Sequence, residues 1–431
     1  MTYSQTVQFL YGLQQHGIKL GLDTIKALLG RVGDPQRRYP VVHIGGTNGK
    51  GSTSAMVAAI AQAAGHRVGL YTSPHLIDYR ERMRVNGEMI SESRVIALVE
   101  QLRSAAAPDL APTFFEFTTA MACMHFAEAG IDLAVLEVGL GGRFDATNVV
   151  TPAATAITTI GLDHEQYLGS TLEQIAFEKA GIIKPGSPLV LGRVGEAAGR
   201  VIEERARAVG APVSRLDREF RTIGESTAAF TYEGPAGRYD RLSCSLNGGF
   251  QLDNAACAIS LCGVLRQAGI AISDSAIRAG LRDVAWEGRL EAAASSPTII
   301  LDGAHNPAAA EALAGYLAAW RARRPDGRVC LVMGMMRDKQ PRGFFHPLRP
   351  YVDDVIMTQA DLPRAMSGTD LRTALQDLAP SAHVAAAPAD ALALARQLVD
   401  PGDLICVAGS LMLVGEVKAL LRGCRLSPVR G

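Results

Sequence analysis

The chain has 431 residues, 48% hydrophobic and 20% charged, with 43 basic and 43 acidic side chains and no formal net charge. A single core rarely grows past ~250–300 residues, so two domains are expected, and the balanced charge argues against a nucleic-acid partner. Seven scattered cysteines with no C-x-x-C pair read as reduced intracellular thiols. The opening "MTYSQTVQFLYGLQQHG" has no basic start followed by an apolar run, and "LICVAGSLMLVGEV" is too short to span a bilayer and is broken by Gly409, Ser410 and Gly415. A cytoplasmic protein with no membrane partner is the expectation.

Short β-branched runs alternate with Ala-rich helical segments. "YPVVHIGG" reads as a strand, Ser52 to Ala64 as a helix and "RVGLYTS" as a strand. "FTTAMACMHFAEAG" reads as a helix, and "DLAVLEVG" and "TAITTIG" as strands. Such alternation implies a largely parallel sheet with helices on both faces. "AFTYEGPAGRYDRLSCSL" then reads as an antiparallel hairpin across a Gly/Pro turn, followed by helices over Asp253–Ala268 and Ser273–Val284. After the small, polar "EAAASSP" a second series begins. Its strands are "TIILDG", "RVCLVMG", "DDVIMTQA" and "DLICVAGS", and its helices start near Pro307, Asp370, Pro388 and Leu411. The expected fold class is therefore α/β. An N-terminal P-loop-type, mostly parallel sheet with a small antiparallel addition spans residues 1–294, and a C-terminal Rossmann-like α/β domain spans 295–431. A hinge is expected near Arg289–Pro297.

The stretch "VVHIGGTNGKGSTSAMVAAI" has the look of a phosphate loop with an altered count. The usual pattern is Gly, four residues, then Gly-Lys-Ser/Thr. Here Ile44 stands five before Gly49, and Gly51 separates Lys50 from Ser52. Thr47, Asn48, Gly49, Lys50, Gly51 and Ser52 still lie between a buried strand and a helix, where backbone N–H groups and the helix N-terminus converge on an anion. A tight turn with a solvated lysine is the competing reading of this loop taken alone.

"GTNGKGS" resembles the corresponding loop of the Mur ligase superfamily of ATP-dependent amide-forming enzymes. "YTSPHL", "ERMRVNG", "FFEFTTAMA", "LEVGLGGRFDATN", "TTIGLDHEQYLG", "FEKAGIIKPG", "LDGAHNP" and "MGMMRDKQ" narrow the resemblance to the folylpolyglutamate synthase/dihydrofolate synthase family. These stretches run collinearly over nearly the whole chain, so the altered loop is a family variant.

That resemblance implies a ligase joining L-glutamate to dihydropteroate, to tetrahydrofolate species, or to both, with ATP as co-substrate and an acyl phosphate as intermediate. It implies two magnesium sites at Ser73, Glu137 and His164, and a carbamylated Lys179 supporting the second. From the residues alone, Lys179 reads as a solvated lysine on an acidic helix, and His164 as a hydrogen-bonded loop histidine. The family positions that hold the nucleotide fall on Asn254, Arg289 and Asp302, with His305 a further candidate near the phosphates whose role stays open. Lys50, Glu137, His164 and Lys179 carry the chemistry. On the pteroate side the resemblance points to Gly17, Ile18, Lys19 and Leu20, to Thr113, Phe114, Phe115 and Glu116, and to Phe144, Asp145 and Ala146. Lys19 stands where some dihydropteroate-using relatives carry an acid, which leaves the balance of the two activities open. "DLPR" resembles the "DNPR" segment of muramyl ligases, so Arg364 is the candidate anchor for free glutamate. A monomer is expected.

Three alternative readings stand beside that ligase: a Mur-type ligase for another carboxylate, a folylpolyglutamate synthase without dihydropteroate activity, and a nucleotide-binding switch without ligation. "FFEFTT", "GGRFDATN" and the short N-terminus argue against a muramyl ligase. The full set of metal-ligand candidates argues against a switch.

Overall fold

Residues 41–45, 133–137 and 404–408 are buried at every position. Continuously buried, mostly apolar runs of this kind suit strands covered on both faces, as in a parallel sheet between helical layers. A computed structural model of the chain describes residues 1–17, 21–106 and 109–427 and contains two such sheets. Three of the candidate pteroate residues, Ile18, Lys19 and Leu20, lie outside the described residues.

The first sheet contains β1 (Val41–Gly45), β2 (Val68–Tyr71), β3 (Met83–Val85), β4 (Glu88–Met89), β5 (Leu133–Glu137), β6 (Ala154–Thr159), β7 (Leu189–Arg193) and β8 (Val213–Arg215). Their order is β4-β3-β2-β5-β1-β6-β7-β8. The run from β2 to β8 pairs in parallel, and β3 and β4 form an antiparallel edge. Helices Lys50–Ala63, Gln251–Gln267 and Asp274–Asp283 build one apolar layer around Met56, Ile60, Ile259 and Ile277. Helices Tyr3–Gly12, Asp23–Arg31, Glu92–Ala106 and Phe114–Ala129 build the opposite layer around Val7, Leu28, Leu98 and Phe117.

The expected hairpin is present as β10 (Ala229–Gly234) and β11 (Gly237–Leu242), but β9 (Arg221–Ser226) joins it to make a three-stranded sheet. Four of the six β9 positions in a row are exposed, so the strand carries no apolar alternation to announce it. Tyr232 anchors this small sheet on helix Gln251–Gln267, its hydroxyl 2.9 Å from Ser260 Oγ.

The second sheet contains β12 (Glu291–Ser295), β13 (Thr298–Leu301), β14 (Val329–Met333), β15 (Asp354–Met357), β16 (His383–Val384) and β17 (Leu404–Ala408), in the order β12-β13-β17-β14-β15-β16. All pairs are parallel except β12 with β13. The stretch "EAAASSP", read from composition as a polar connector, is therefore largely an edge strand. Its small side chains leave no hydrophobic period to detect. Because Glu291 pairs with Leu301 and Ser295 with Thr298, this segment is fixed in the second sheet. The last helix before this sheet ends at Asp283, so the expected hinge near Arg289–Pro297 overlaps the start of β12.

Candidate active site

In an open parallel sheet, the loops leaving the carboxyl ends of the strands gather along one edge, and ligands bind where strand order reverses. β1 lies between β5 and β6, with β2 just beyond β5. The loops after these four strands carry Gly46–Lys50, Ser73, Gly139–Gly141 and Asp163–His164, so they meet. The loops after β13, β14, β15 and β17 bring Asp302–Asn306, Met336–Lys339, Arg364 and Ser410 to face them.

One cavity of about 400 Å³ follows the phosphate loop. It is lined by Thr47, Asn48, Gly49, Lys50, Gly51, Ser52, Ser73, Glu137, His164, Lys179, Asn254, Arg289, Asp302 and His305, so every candidate nucleotide and metal residue borders one space. Gly46 and Gly49 have φ of 139° and 86°, in the region that favours glycine. A Cβ on Gly46 would lie 2.0 Å from Thr158 Oγ1, so only glycine lets the loop sit against β6. Thr158 Oγ1 donates to Asn48 O at 2.6 Å, and Asn48 N–H donates to Thr159 Oγ1 at 2.9 Å, which fixes the loop on that strand.

Lys50 Nζ donates to Gly46 O and Thr47 O at 3.0 Å each. Lys179 Nζ donates to the same Gly46 O, also at 3.0 Å. Reading Lys179 as a solvated surface lysine was mistaken. It is 5% exposed, because the last turn of helix Leu172–Ala180 packs under the phosphate loop. Burial, then repulsion from Lys50, pushes its pKa down to about 7. Two lysine Nζ atoms thus converge on one carbonyl beneath the phosphate loop.

Glu137 accepts from Ser73 N–H at 3.2 Å; burial raises its pKa and Lys50 works against that rise. His164 sits at φ 51°, and burial pushes its pKa down to about 4, which keeps the ring neutral and able to ligate near pH 7. Among the described residues, no three His, Cys, Asp or Glu side chains stand close enough to hold an ion unaided. The set Ser73, Glu137 and His164 fits magnesium, which takes few protein ligands and keeps waters and phosphate oxygens in the rest.

Asn254 Nδ2 donates to Gln251 Oε1 at 2.8 Å, and its Oδ1 faces Gly49 and Thr53. The residue thus stands beside the phosphate loop. Asp302 accepts from Leu290 N–H and Ala304 N–H at 2.9 Å each, so it braces the crossing segment. Arg289 Nη1 donates to Gly288 O at 3.0 Å.

A second cavity of about 510 Å³ is lined by Gly17, Thr113, Phe114, Phe115, Glu116, Phe144, Asp145, Ala146 and Arg364, which unites the described pteroate and glutamate candidates. Phe114 stacks on Tyr11 at 5.0 Å with the Arg82 guanidinium 5.3 Å from its ring. Two of the candidate acids are occupied by architecture. Glu116 closes a capping box with Thr113, accepting Thr113 N–H at 2.8 Å. Asp145 accepts from the backbone N–H groups of Gly139, Leu140 and Thr147 at 2.9–3.0 Å, shaping the turn between the cavities. The two cavities share Ser73, Gly139, Leu140, Gly141, His164, His305 and Leu411 as a common wall.

Sequence reasoning missed Asp163, Lys339 and Asn306. Lys339 Nζ lies 2.5 Å from Asp163 Oδ1, and Asn306 exchanges side-chain hydrogen bonds with Asn48 at 3.0 and 3.1 Å. All three follow strands, at the edge where such loops gather, and that position was the available signal.

The Mur ligase middle domain matches residues 44–262, and the Mur ligase glutamate ligase domain matches residues 288–411. The chain is 36% identical over 438 residues to the dihydrofolate synthase/folylpolyglutamate synthase of Bacillus subtilis, covering 97% of this chain and 99% of that one. It belongs to the folylpolyglutamate synthase/dihydrofolate synthase family. Within this family it is also 38% identical to a Haloferax volcanii protein named "Probable bifunctional folylpolyglutamate synthase/dihydropteroate synthase", of whose length it spans 50% and which covers 97% of this chain. Among solved structures, E. coli FolC in complex with DHPP and ADP superposes with a TM-score of 0.89 at 33% identity, covering 97% of this chain and 98% of that one. The bifunctional Yersinia pestis synthase complexed with AMPPNP and Mn ion gives 0.88 at 34% identity, covering 98% of both chains. Among the described residues, no helix is long and apolar enough to cross a membrane.

Proposed function

We propose that this protein is an ATP-dependent ligase that joins L-glutamate to dihydropteroate and to reduced folates through an acyl phosphate. The observation that carries the reading is adjacency: a phosphate-loop cavity and an aromatic-lined cavity are lined in common by Ser73, Gly139, His164 and His305. An acid lying in the second cavity then meets the terminal phosphoryl group of a nucleotide lying in the first. The molecules bound in the FolC and Yersinia complexes, DHPP with ADP and AMPPNP with a Mn ion, suit these two spaces.

The acid's carboxylate oxygen attacks the γ-phosphorus and ADP leaves, giving a mixed anhydride. The glutamate amine, having lost a proton, attacks the acyl carbon. An amide forms, and inorganic phosphate departs with the oxygen that came from the acid. Lys50, at the head of its helix, draws the phosphates to the backbone donors of the loop. Phe114 and Phe115 pack on the flat ring system, and Arg364 takes a carboxylate of the incoming amino acid. Asn254, Arg289 and Asp302 hold the nucleotide from the side of the crossing segment, and His305 spans the junction. Magnesium in two sites, held by Ser73, Glu137 and His164, would supply neutralisation of the phosphate charge.

A carbamylated Lys179 belongs to the same reading. A buried amine with a pKa near 7 exposes a free lone pair for CO₂ at neutral pH, and the resulting carboxylate replaces one of two crowded cations with an anion. We propose further that the domain division falls before Glu291, and that the protein acts as a cytoplasmic monomer without nucleic-acid partners.

The test is release of ADP and amide with dihydropteroate and tetrahydrofolate offered separately, each with ATP, magnesium and labelled glutamate. Oxygen-18 placed in the acid's carboxylate should emerge in the phosphate. Amide formation without that transfer sinks the acyl-phosphate route, and no glutamate-dependent ADP release with either acid sinks the ligase.

A further inference from the structure

The seam between the two bodies is polar, and the ligation chemistry leaves most of it unassigned. Lys339 and Asp163 are 9% and 8% exposed at the side chain and 2.5 Å apart. Asp163 Oδ2 accepts from Asn306 Nδ2 at 3.1 Å and stands 3.4 Å from His305 Nε2. Asn306 Oδ1 accepts from Asn48 Nδ2 at 3.1 Å and also from Ala309 N–H at 2.9 Å, so the residue that caps helix Pro307–Arg323 grips the phosphate loop as well. At the outer rim Gln340 Nε2 donates to Glu165 Oε1 at 2.6 Å.

We propose that Lys339 and Asn306 are positioning residues that register the glutamate-side wall against the phosphate loop through Asp163 and Asn48. Three features point this way. Desolvation offsets most of the attraction in a buried ion pair, so such a pair is a weak source of stability, and its geometric demand is what sets it apart from a hydrophobic contact. The two partners on the N-terminal body are placed at the chemistry: Asn48 lies within the phosphate loop and Asp163 directly precedes His164. Finally, Lys339 itself borders the second cavity, on one short loop with Met336 and Asp338 and beside Arg364 and Ser410. A shift of Lys339 carries that wall with it. Misplacement by about 1 Å can slow a bimolecular step ~100-fold.

This inference rests on the ligase reading, and its test includes a readout that needs no activity. Cys424 is the exposed cysteine among the seven, so Cys424→Ser provides a background for labelling. In it, Glu165→Cys and Gln340→Cys place thiols across the rim for a short bis-maleimide. Adding Lys339→Met should lower the cross-linking yield several-fold. In the untethered enzyme the same change should raise the glutamate KM at least ~10-fold and slow first-turnover amide formation ~100-fold, with dihydropteroate affinity unchanged. Tethering Lys339→Met across the rim should recover most of that rate. An unchanged cross-linking yield overturns the proposal. So does a tethered variant that stays as slow as the untethered one, since Lys339 would then act on substrate directly. Absence of amide in the parent enzyme strikes the ligase reading instead, while the cross-linking yield still judges the seam.

Discussion

Gly49→Ala probes the phosphate loop with a cost that can be worked out in advance. The residue has φ 86°, and an added Cβ would lie 2.4 Å from Asn254 Oδ1 and 3.3 Å from its Cγ. Holding alanine in the left-handed region costs about 1–2 kcal/mol. To clear the methyl, Asn254 must swing away and surrender its 2.8 Å bond to Gln251 inside a buried pocket, about another 1–1.5 kcal/mol. The total is about 2–3.5 kcal/mol. Gly65→Ala supplies the control, because Gly65 has φ 90° with nothing within 4 Å of the added Cβ, leaving only the backbone component. Urea unfolding followed by Trp286 fluorescence in a Trp320→Phe background reports the N-terminal body, since Trp286 packs beside Gly51. The difference between the two glycine variants should be about 1–1.5 kcal/mol, and it should vanish when both changes are made in an Asn254→Ala parent. Equal losses at Gly49 and Gly65, or simple additivity of Gly49→Ala with Asn254→Ala, would refute the steric reasoning.

Two further outcomes follow from buried charges. Without carbamylation, folded Lys179 gives up its proton near pH 7, whereas in the unfolded chain it holds one to about pH 10.5. Between those values the unfolded state binds more protons, so Lys179 makes stability rise with pH across that window, and Lys179→Met in bicarbonate-free buffer should flatten the slope. Identical pH slopes for the two proteins would discard this account. Lys418, buried on the last helix, meets Glu291 at 2.5 Å and Glu287 at 3.2 Å, clamping the crossing segment to the second sheet. Lys418→Met leaves Arg422 as the remaining cation beside Glu287 and Glu291 and should cost roughly 3 kcal/mol, the low end for broken buried pairs because both acids also keep some solvent access. A change below about 1 kcal/mol in the denaturation of the C-terminal body would show that the clamp is idle.

Much of the site was legible because its residues sit in short runs at strand ends. Glu137 and His164 follow apolar strands, and the rule that strand ends line the cleft brings them to the loop. Thr113 through Glu116 and Phe144 through Ala146 were legible as stretches, and they do border the same cavity. What each side chain does within a stretch was not. Glu116 and Asp145 are acids whose oxygens hold backbone N–H groups, a commitment that depends on chain geometry and not on residue type. Among the secondary elements, β12 escaped because alanines and serines give an edge strand no hydrophobic period, and β9 because its exposed face is mixed.

The sequence by itself determined the two α/β series, the glycine-rich loop and the family, since strand periodicity and contiguous motifs are local properties of the chain. Tertiary structure decided the rest. It turned Lys179 from an apparent surface lysine into a buried neighbour of Lys50, both reaching Gly46 O. It joined Asn48 to Asn306 and Asp163 to Lys339, pairs separated by 258 and 176 positions. Contacts at such separations depend on how two sheets face one another, and burial, which sets the charge state of each group, depends on everything packed around it.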